Sequence, residues 1–331
     1  MSALEKRKLR PDWFLWAVFG AAGLAALAPG IGAAGGPLHS EIVTKAGVMI
    51  AFYVYGLTLS FAALKGGALN WRLHLAVQAA TFGLFPLIAF VALSVAGERL
   101  SPDLALGFVY LCALPSTISS AVALTAVARG NVAGAVFNAT LSSLLGVVLT
   151  PLWLHALGGV AGGQGDLGRA ILDIARLLVL PMVLGQACRP FLADWAARHR
   201  AKLQLTDRLL ILFLVYATFC DSFVGGVWRG KGWELLIGVT LGSAVLFAIV
   251  SAVMAWVARV LGFGHGDAMA LMFCGTQKSL AQGVTMSRVL LAAHPAAGLV
   301  LLPLMIYHAL QLLVGGVLAP HWSRSDQGGH S

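Results

Sequence analysis

Apolar residues fall in long blocks along this chain, and short polar clusters separate them. A helix that crosses a bilayer needs about 20 predominantly apolar residues. Ten blocks approach or exceed that length: 12–29, 42–63, 72–96, 104–127, 132–156, 168–189, 206–225, 233–260, 268–291 and 295–319. The pattern predicts an all-α polytopic membrane protein with ten transmembrane helices.

Two blocks are interrupted at their centres. The fourth carries "LCALPSTISSAV" over 111–122. There Pro115 removes a backbone donor and strains the preceding turn, and Ser116, Thr117, Ser119 and Ser120 follow. The ninth carries "FCGTQKSLAQGV" over 273–284. Gly275, Thr276 and Gln277 are its expected interruption, and Lys278 comes next. Broken backbone frees carbonyls and amides, which protein, water or a ligand must satisfy. A half-helix starting near Ser279 directs a positive end at the break, and one ending near Gly275 a negative end. A charged residue at membrane depth is costly and marks a functional site by default.

The two interruptions correspond. "LCALPSTISSAV" lies on "FCGTQKSLAQGV" with Cys112 on Cys274, at an offset of 162 residues. "GVVLTPLW" (146–153) matches "GGVLAPHW" (315–322) at an offset of 169, and "LAP" (27–29) falls near "CRP" (188–190) at 161. These matches keep their order at nearly one offset, so the unit is five spans: residues 1–160, then 161–331. An odd number of spans makes the second copy enter from the opposite side. Inverted repeats with paired broken helices are the architecture of secondary transporters, and the breaks point to a midplane binding site.

Composition agrees. Of 331 residues, 59% are hydrophobic and 11% charged, more apolar surface than a soluble protein of this size can hide. Thirty-nine glycines suit closely packed membrane helices. The formal charge of +9 does not point to nucleic acid, because the basic residues sit in a few short loops. Lys6, Arg7, Lys8, Arg10, Lys65, Arg72, Arg129, Arg189, Arg198, Arg200, Lys202, Arg208, Arg259 and Arg324 fall on one side. Lys45, Arg99, Arg169, Arg229, Lys231 and Arg288 fall on the other. Fourteen against six places both termini in the cytoplasm. The amino-terminal "MSALEKRKLRPDWFLW" has no small-residue cleavage site, so no signal peptide is expected. Cys112, Cys188, Cys220 and Cys274 lack CxxC spacing, and neither zinc nor a disulfide framework is expected. Trp13, Trp71, Trp153, Trp233 and Trp322 near span ends read as interfacial anchors. No HExxH or GxSxG motif and no paired intramembrane acids on one helix argue for an enzyme. No cofactor is implied.

"ALPSTISSAVALTAVARGN", "FCGTQKSLAQG", "VQAATFGLFPLIAF", "VLPMVLGQACRP" and "YATFCDSF" together resemble the bile acid:sodium symporter superfamily. Within it they are most similar to the bacterial branch related to the seventh member of solute carrier family 10. The resemblance covers nearly the whole chain. It implies a panel of spans 1, 2, 6 and 7, and a core of spans 3, 4, 5, 8, 9 and 10 in which broken spans 4 and 9 cross. It also implies a multi-pass protein of the bacterial inner membrane. In sodium-coupled members, cations lie beside the crossing. Gln78, Ser119, Ser120 and Gln277 fall at or near their ligand positions, and Asn138, Thr140, Ser142 and Ser143 are the candidates in span five. If sodium binds, Gln78, Ser120 and Gln277 are the first candidates. This chain departs from the pattern at two places: Phe273 stands where those members carry Glu, and Lys278 where they carry Asn.

Losing a carboxylate and gaining an ammonium argues against a sodium site. Unit charges about 4 Å apart at an effective dielectric of about 20 interact by roughly 4 kcal/mol. Lys278 can stand in for the ion and hold the crossing together, carry a proton, bind an anionic substrate, or snorkel to a carbonyl in a crevice. Asp221, near the outer end of span seven, is read as an interfacial acid pairing with Arg229 or Lys231, or as a substrate ligand. Asp173 and Arg176 suit a local i, i+3 pair. His308 is a hydrogen-bonding or packing residue facing the core. The function implied is alternating-access transport of a small organic anion or amphipath, with Na+ or H+ as candidate coupling ions. The alternatives are a non-transporting regulator of ion homeostasis and a conventional sodium symporter.

Overall fold

In lipid, a helix satisfies its backbone polar groups within its own segment. The computed structural model follows that rule. It describes residues 13–58, 69–96, 100–158, 167–230, 232–292 and 294–325, and among these the chain is helical with no strand. Lys6, Arg7, Lys8, Arg10, Lys65, Arg99 and Lys231, used above for orientation, lie outside the described residues.

The helices are α1 (Trp13–Leu27), α2 (Ser40–Thr58), α3 (71–96), α4 (Pro102–Ala113), α5 (Ser119–Val127), α6 (Val132–Gly158) and α7 (167–198). They continue with α8 (Arg200–Val224), α9 (Trp233–Val260), α10 (His265–Thr276), α11 (Leu280–Leu290) and α12 (Ala297–Ser325). Six of them, α3, α6, α7, α8, α9 and α12, are each long and apolar enough to cross a membrane. Trp16–Leu27 of α1 and the whole of α4 are shorter apolar helices.

Packing sorts the helices into two groups. α1 lies along α8 and α2 along α7, while α3 to α6 and α9 to α12 pack on one another. The groups meet where α8 touches α11 and α12, and where α7 reaches α6. Two glycines set the closest approach. Gly56 on α2 lies against the Met182 carbonyl and Gly185 on α7 against the Tyr53 carbonyl, with no room for a Cβ at either. Small residues let membrane helices make such backbone contact. In the second group, α12 is central: Leu299, Val300, Leu301, Leu304, Met305 and Tyr307 are all buried. α9 is peripheral and exposes Leu241, Val245, Ile249 and Trp256 along one stripe.

The fourth block divides where expected, between α4 and α5 at Pro115. The ninth divides later than expected. Gly275 and Thr276 are still helical, and the break is Gln277, Lys278 and Ser279. Gly275 serves packing instead, since a Cβ there would come within 2.8 Å of Met254 Sδ. A further irregularity lies in α3, where Ala80–Leu84 forms a π turn.

Candidate functional site at two broken helices

Each break releases backbone groups, and the sequence supplies a partner for most of them. Pro115 fits beside α6 because Gly146 has no side chain; a Cβ there would lie 2.9 Å from the proline ring. The Ser116 amide donates to Ser142 Oγ at 2.9 Å, and Thr150 Oγ1 donates to the Ala113 carbonyl at 2.9 Å. Across the junction, the Ser279 amide donates to the Pro115 carbonyl at 3.0 Å. Ser116 Oγ donates to the Cys274 carbonyl, and Ser120 Oγ to Gln277 Oε1, both at 2.7 Å. The Tyr307 hydroxyl caps the Thr276 carbonyl at 2.6 Å. Ser279 is the N-cap of α11, accepting from the Gln282 amide.

Lys278 is fully buried. Its backbone is clamped by Gln311 of α12. Gln311 Oε1 accepts from the Lys278 amide at 2.8 Å, and Nε2 donates to its carbonyl at 2.9 Å. His308 lies against the same carbonyl and against Gln311 Nε2. The side chain runs to three backbone carbonyls. Nζ donates to Leu114 at 2.6 Å, Cys112 at 2.9 Å and Thr81 at 3.0 Å.

Local chemistry explains why those carbonyls are free. Cys112 is in the last turn of α4, and Leu114 just follows it. The four terminal carbonyls of a helix have no intrahelical donor, and they form its negative end. Thr81 lies in the π turn, where the Phe85 amide bonds back to Ala80. In that i to i−5 register the donor for Thr81 would be residue 86, which is proline and has no N–H. Lys278 supplies the missing proton. An ammonium has three donors and no acceptor, so these bonds saturate it. The Phe85 ring covers a further face, 3.9 Å from Nζ to the centroid, a cation–π contact. Helix ends, peptide dipoles and a ring surround Nζ, and among the described residues no carboxylate is in its hydrogen-bonding shell.

Around this centre the structure brings together Pro115, Ser116, Ser120, Thr276, Gln277, Lys278 and Ser279. Thr276 contributes its carbonyl, since its hydroxyl returns to Met272 of its own helix. Thr117 is buried, whereas Ser119 is exposed. Gln78 and Asn138 form a pair of their own. Gln78 Nε2 donates to the Asn138 backbone carbonyl at 3.1 Å and to its Oδ1 at 3.3 Å. Gln78 Oε1 is buried with no hydrogen-bond partner among the described residues. Phe273 packs on Trp322, with 5.8 Å between ring centroids. Asp221 stands apart from the junction and pairs with a residue other than the expected Arg229, while Lys231 lies outside the described residues. Among the described residues its ionic partner is Arg288 of α11, at 2.9 Å, and it also accepts from the Ala34 amide at 2.7 Å. Asp173 and Arg176 approach to 3.8 Å as an exposed pair, an arrangement worth little.

The sequence reading did not single out Gln311, Tyr307, Thr81 or Phe85. Gln311 carried a signal, being an uncharged polar side chain in an apolar span. Thr81 acts only through its backbone, and Pro86 five residues later was the clue.

The model of the SBF-like CPA transporter family matches residues 12–324. The chain belongs to that family. A putative symporter of Escherichia coli (strain K12), YfeH, is 40% identical over 287 residues, covering 87% of this chain and 86% of its own. Sodium/bile acid cotransporter 7 of Danio rerio is 32% identical over 323 residues, covering 95% and 94%. The protein of that name from Rattus norvegicus is 32% identical over 342 residues, covering 99% and 98%. The resemblance drawn from motifs in spans three, four, six, seven and nine therefore holds. As a member of this family, with several helices long enough to span lipid, the chain is a multi-pass membrane protein of a transporter family.

Proposed function

We propose that this protein is a secondary active transporter in which the Lys278 ammonium replaces the bound cation of sodium-coupled relatives. The observation that carries this reading is the coordination of Nζ. Three converging backbone oxygens at hydrogen-bond distance, closed by an aromatic face, are a cation site occupied by the protein's own side chain. Its donors are saturated, so Lys278 does not reach out to an anionic substrate in this state. The loss of the acid at Phe273 fits the same reading, because a tethered cation needs no mobile one to be neutralised there. The substrate class is a small organic anion or amphipath, in keeping with the cotransporter and symporter names of the relatives.

The architecture belongs to this reading. Ten spans form two inverted five-helix repeats, 1–160 and 161–331, in the bacterial inner membrane with both termini cytoplasmic. α1, α2, α7 and α8 are the panel, and the remaining helices the core. Alternating access moves one against the other about the crossing.

A conventional sodium symporter is the second reading, and one observation favours it: Gln78 Oε1 is a buried oxygen beside Asn138 with no partner among the described residues. Melting temperatures in sodium, potassium and N-methylglucamine buffers decide between them, for wild type and Lys278→Asn. A ligand at about 100 times its Kd stabilises the folded state by about 2.7 kcal/mol. Wild type should melt alike in the three buffers, and the Asn variant should gain a sodium-specific rise. A sodium-specific rise in wild type would overturn the tethered-cation reading.

A further inference from the structure

A cavity of about 410 Å³ lies between α9, the end of α10 and α12, behind the junction of the broken helices. Small-molecule sites run from about 300 to 1,000 Å³, so it can take a ligand. Its walls are mostly apolar and include Phe247, Phe273 and Trp322, with the Ser251 hydroxyl of α9 among them. The junction contributes one polar group. Gln277 is 1% exposed, and its Oε1 is taken by Ser120. Among the described residues its Nε2 donates no hydrogen bond, and it lies at the cavity wall: a Cβ on Gly315 would lie 3.7 Å from it and 3.7 Å from the Phe273 ring. Gly315 keeps that donor open to the cavity. The neighbouring Thr276 hydroxyl and Gln311 amide are already engaged with backbone groups.

Access is from the side. Ala248 and Ala252 line the cavity and are exposed on α9. They adjoin the exposed apolar stripe of Leu241, Val245, Ile249 and Trp256. A ligand entering past them comes from the hydrocarbon of the bilayer. Burying an unpaired charge there is prohibitive, while a neutral acceptor can be matched by one donor.

We infer that this cavity binds a neutral, membrane-soluble lipophile whose carbonyl oxygen accepts from Gln277 Nε2. This goes beyond the proposed transport function, and binding is read without transport. Because the other end of the same amide holds Ser120 of α5, the ligand bears directly on the junction.

The test uses purified protein and methyl dibromostearate, a neutral ester whose bromines quench tryptophan. Trp322 lines the cavity, so the difference between wild type and Trp322→Phe isolates its signal. Saturable quenching of Trp322 is expected. Ala252→Phe, which fills the cavity from its exposed side, should raise the apparent Kd by about tenfold or more, as should Gln277→Leu through its lost hydrogen bond. A dibromoalkane without a carbonyl, and dibromostearate as the charged acid, should each bind more weakly than the ester. Quenching that rises linearly without saturation would overturn the inference, as would an unchanged Kd in Ala252→Phe or an acid that binds as well as the ester. If Gln277→Leu fails to fold, Ala252→Phe and the three probes still decide.

Discussion

At the scale of single residues, one side chain, Lys278, satisfies three backbone carbonyls at once. Lys278→Met keeps the stem and removes the donors. The carbonyls of Thr81, Cys112 and Leu114 then lose their shared partner. Each unsatisfied buried group costs about 1–3 kcal/mol, so a loss of at least about 3 kcal/mol is expected in denaturant unfolding of the micellar protein. Gln311→Leu keeps the volume but abandons the Lys278 amide and carbonyl together; a loss of at least about 2 kcal/mol is expected. The two changes act on one residue, so the double variant should lose less than the sum. Additive losses would mean that backbone clamp and ammonium work independently.

At the scale of elements, close approach decides what each helix tolerates. Glycine within a helix normally costs about 1 kcal/mol relative to alanine, so Gly→Ala on a free face stabilises. Gly56→Ala and Gly185→Ala should do the opposite, lowering the melting temperature by several degrees, because each added methyl meets a backbone carbonyl that cannot move alone. Gly238, which has open space around it, is the control, and Gly238→Ala should be neutral or stabilising. The same distinction explains what the sequence revealed. Helix-length apolar blocks and Pro115 announced helices and one break, because length and a missing N–H act locally. The second break was placed too early, because Gly275 looks like a breaker but is there to pass Met254. Lys278 was legible as a buried charge, yet its ligands were not. Backbone carbonyls have no residue-type signature, and which of them are free depends on where neighbouring helices end. Asp221 was likewise visible, but its pairing with Arg288 across 67 residues is a tertiary fact.

At the scale of the whole molecule, the Asp221–Arg288 pair ties the group of α1, α2, α7 and α8 to the broken-helix group. Arg288, on α11, also donates to the Leu214 carbonyl of α8, and Asp221 holds the Ala34 amide just beyond the single turn Pro29–Gly32. If the two groups move relative to each other during transport, this tie must open whenever access is from its side. Cys220 reports on that event. It is fully buried, adjacent to Asp221, and covered by Gly32, where even a Cβ would come within 2.9 Å of its Sγ. Cys112 and Cys274 are buried at the junction, and Cys188 is partly exposed. In a Cys188→Ser background, Cys220 should therefore dominate labelling by a membrane-impermeant maleimide. Asp221→Asn and Arg288→Gln should each raise the initial labelling rate several-fold, because losing the tie lets the two groups part. The Leu214 contact survives in Asp221→Asn and is weakened in Arg288→Gln, so the arginine variant should label faster. A rate unchanged in both would mean that the pair fastens helices that never separate, and the opening would have to be sought elsewhere in the interface.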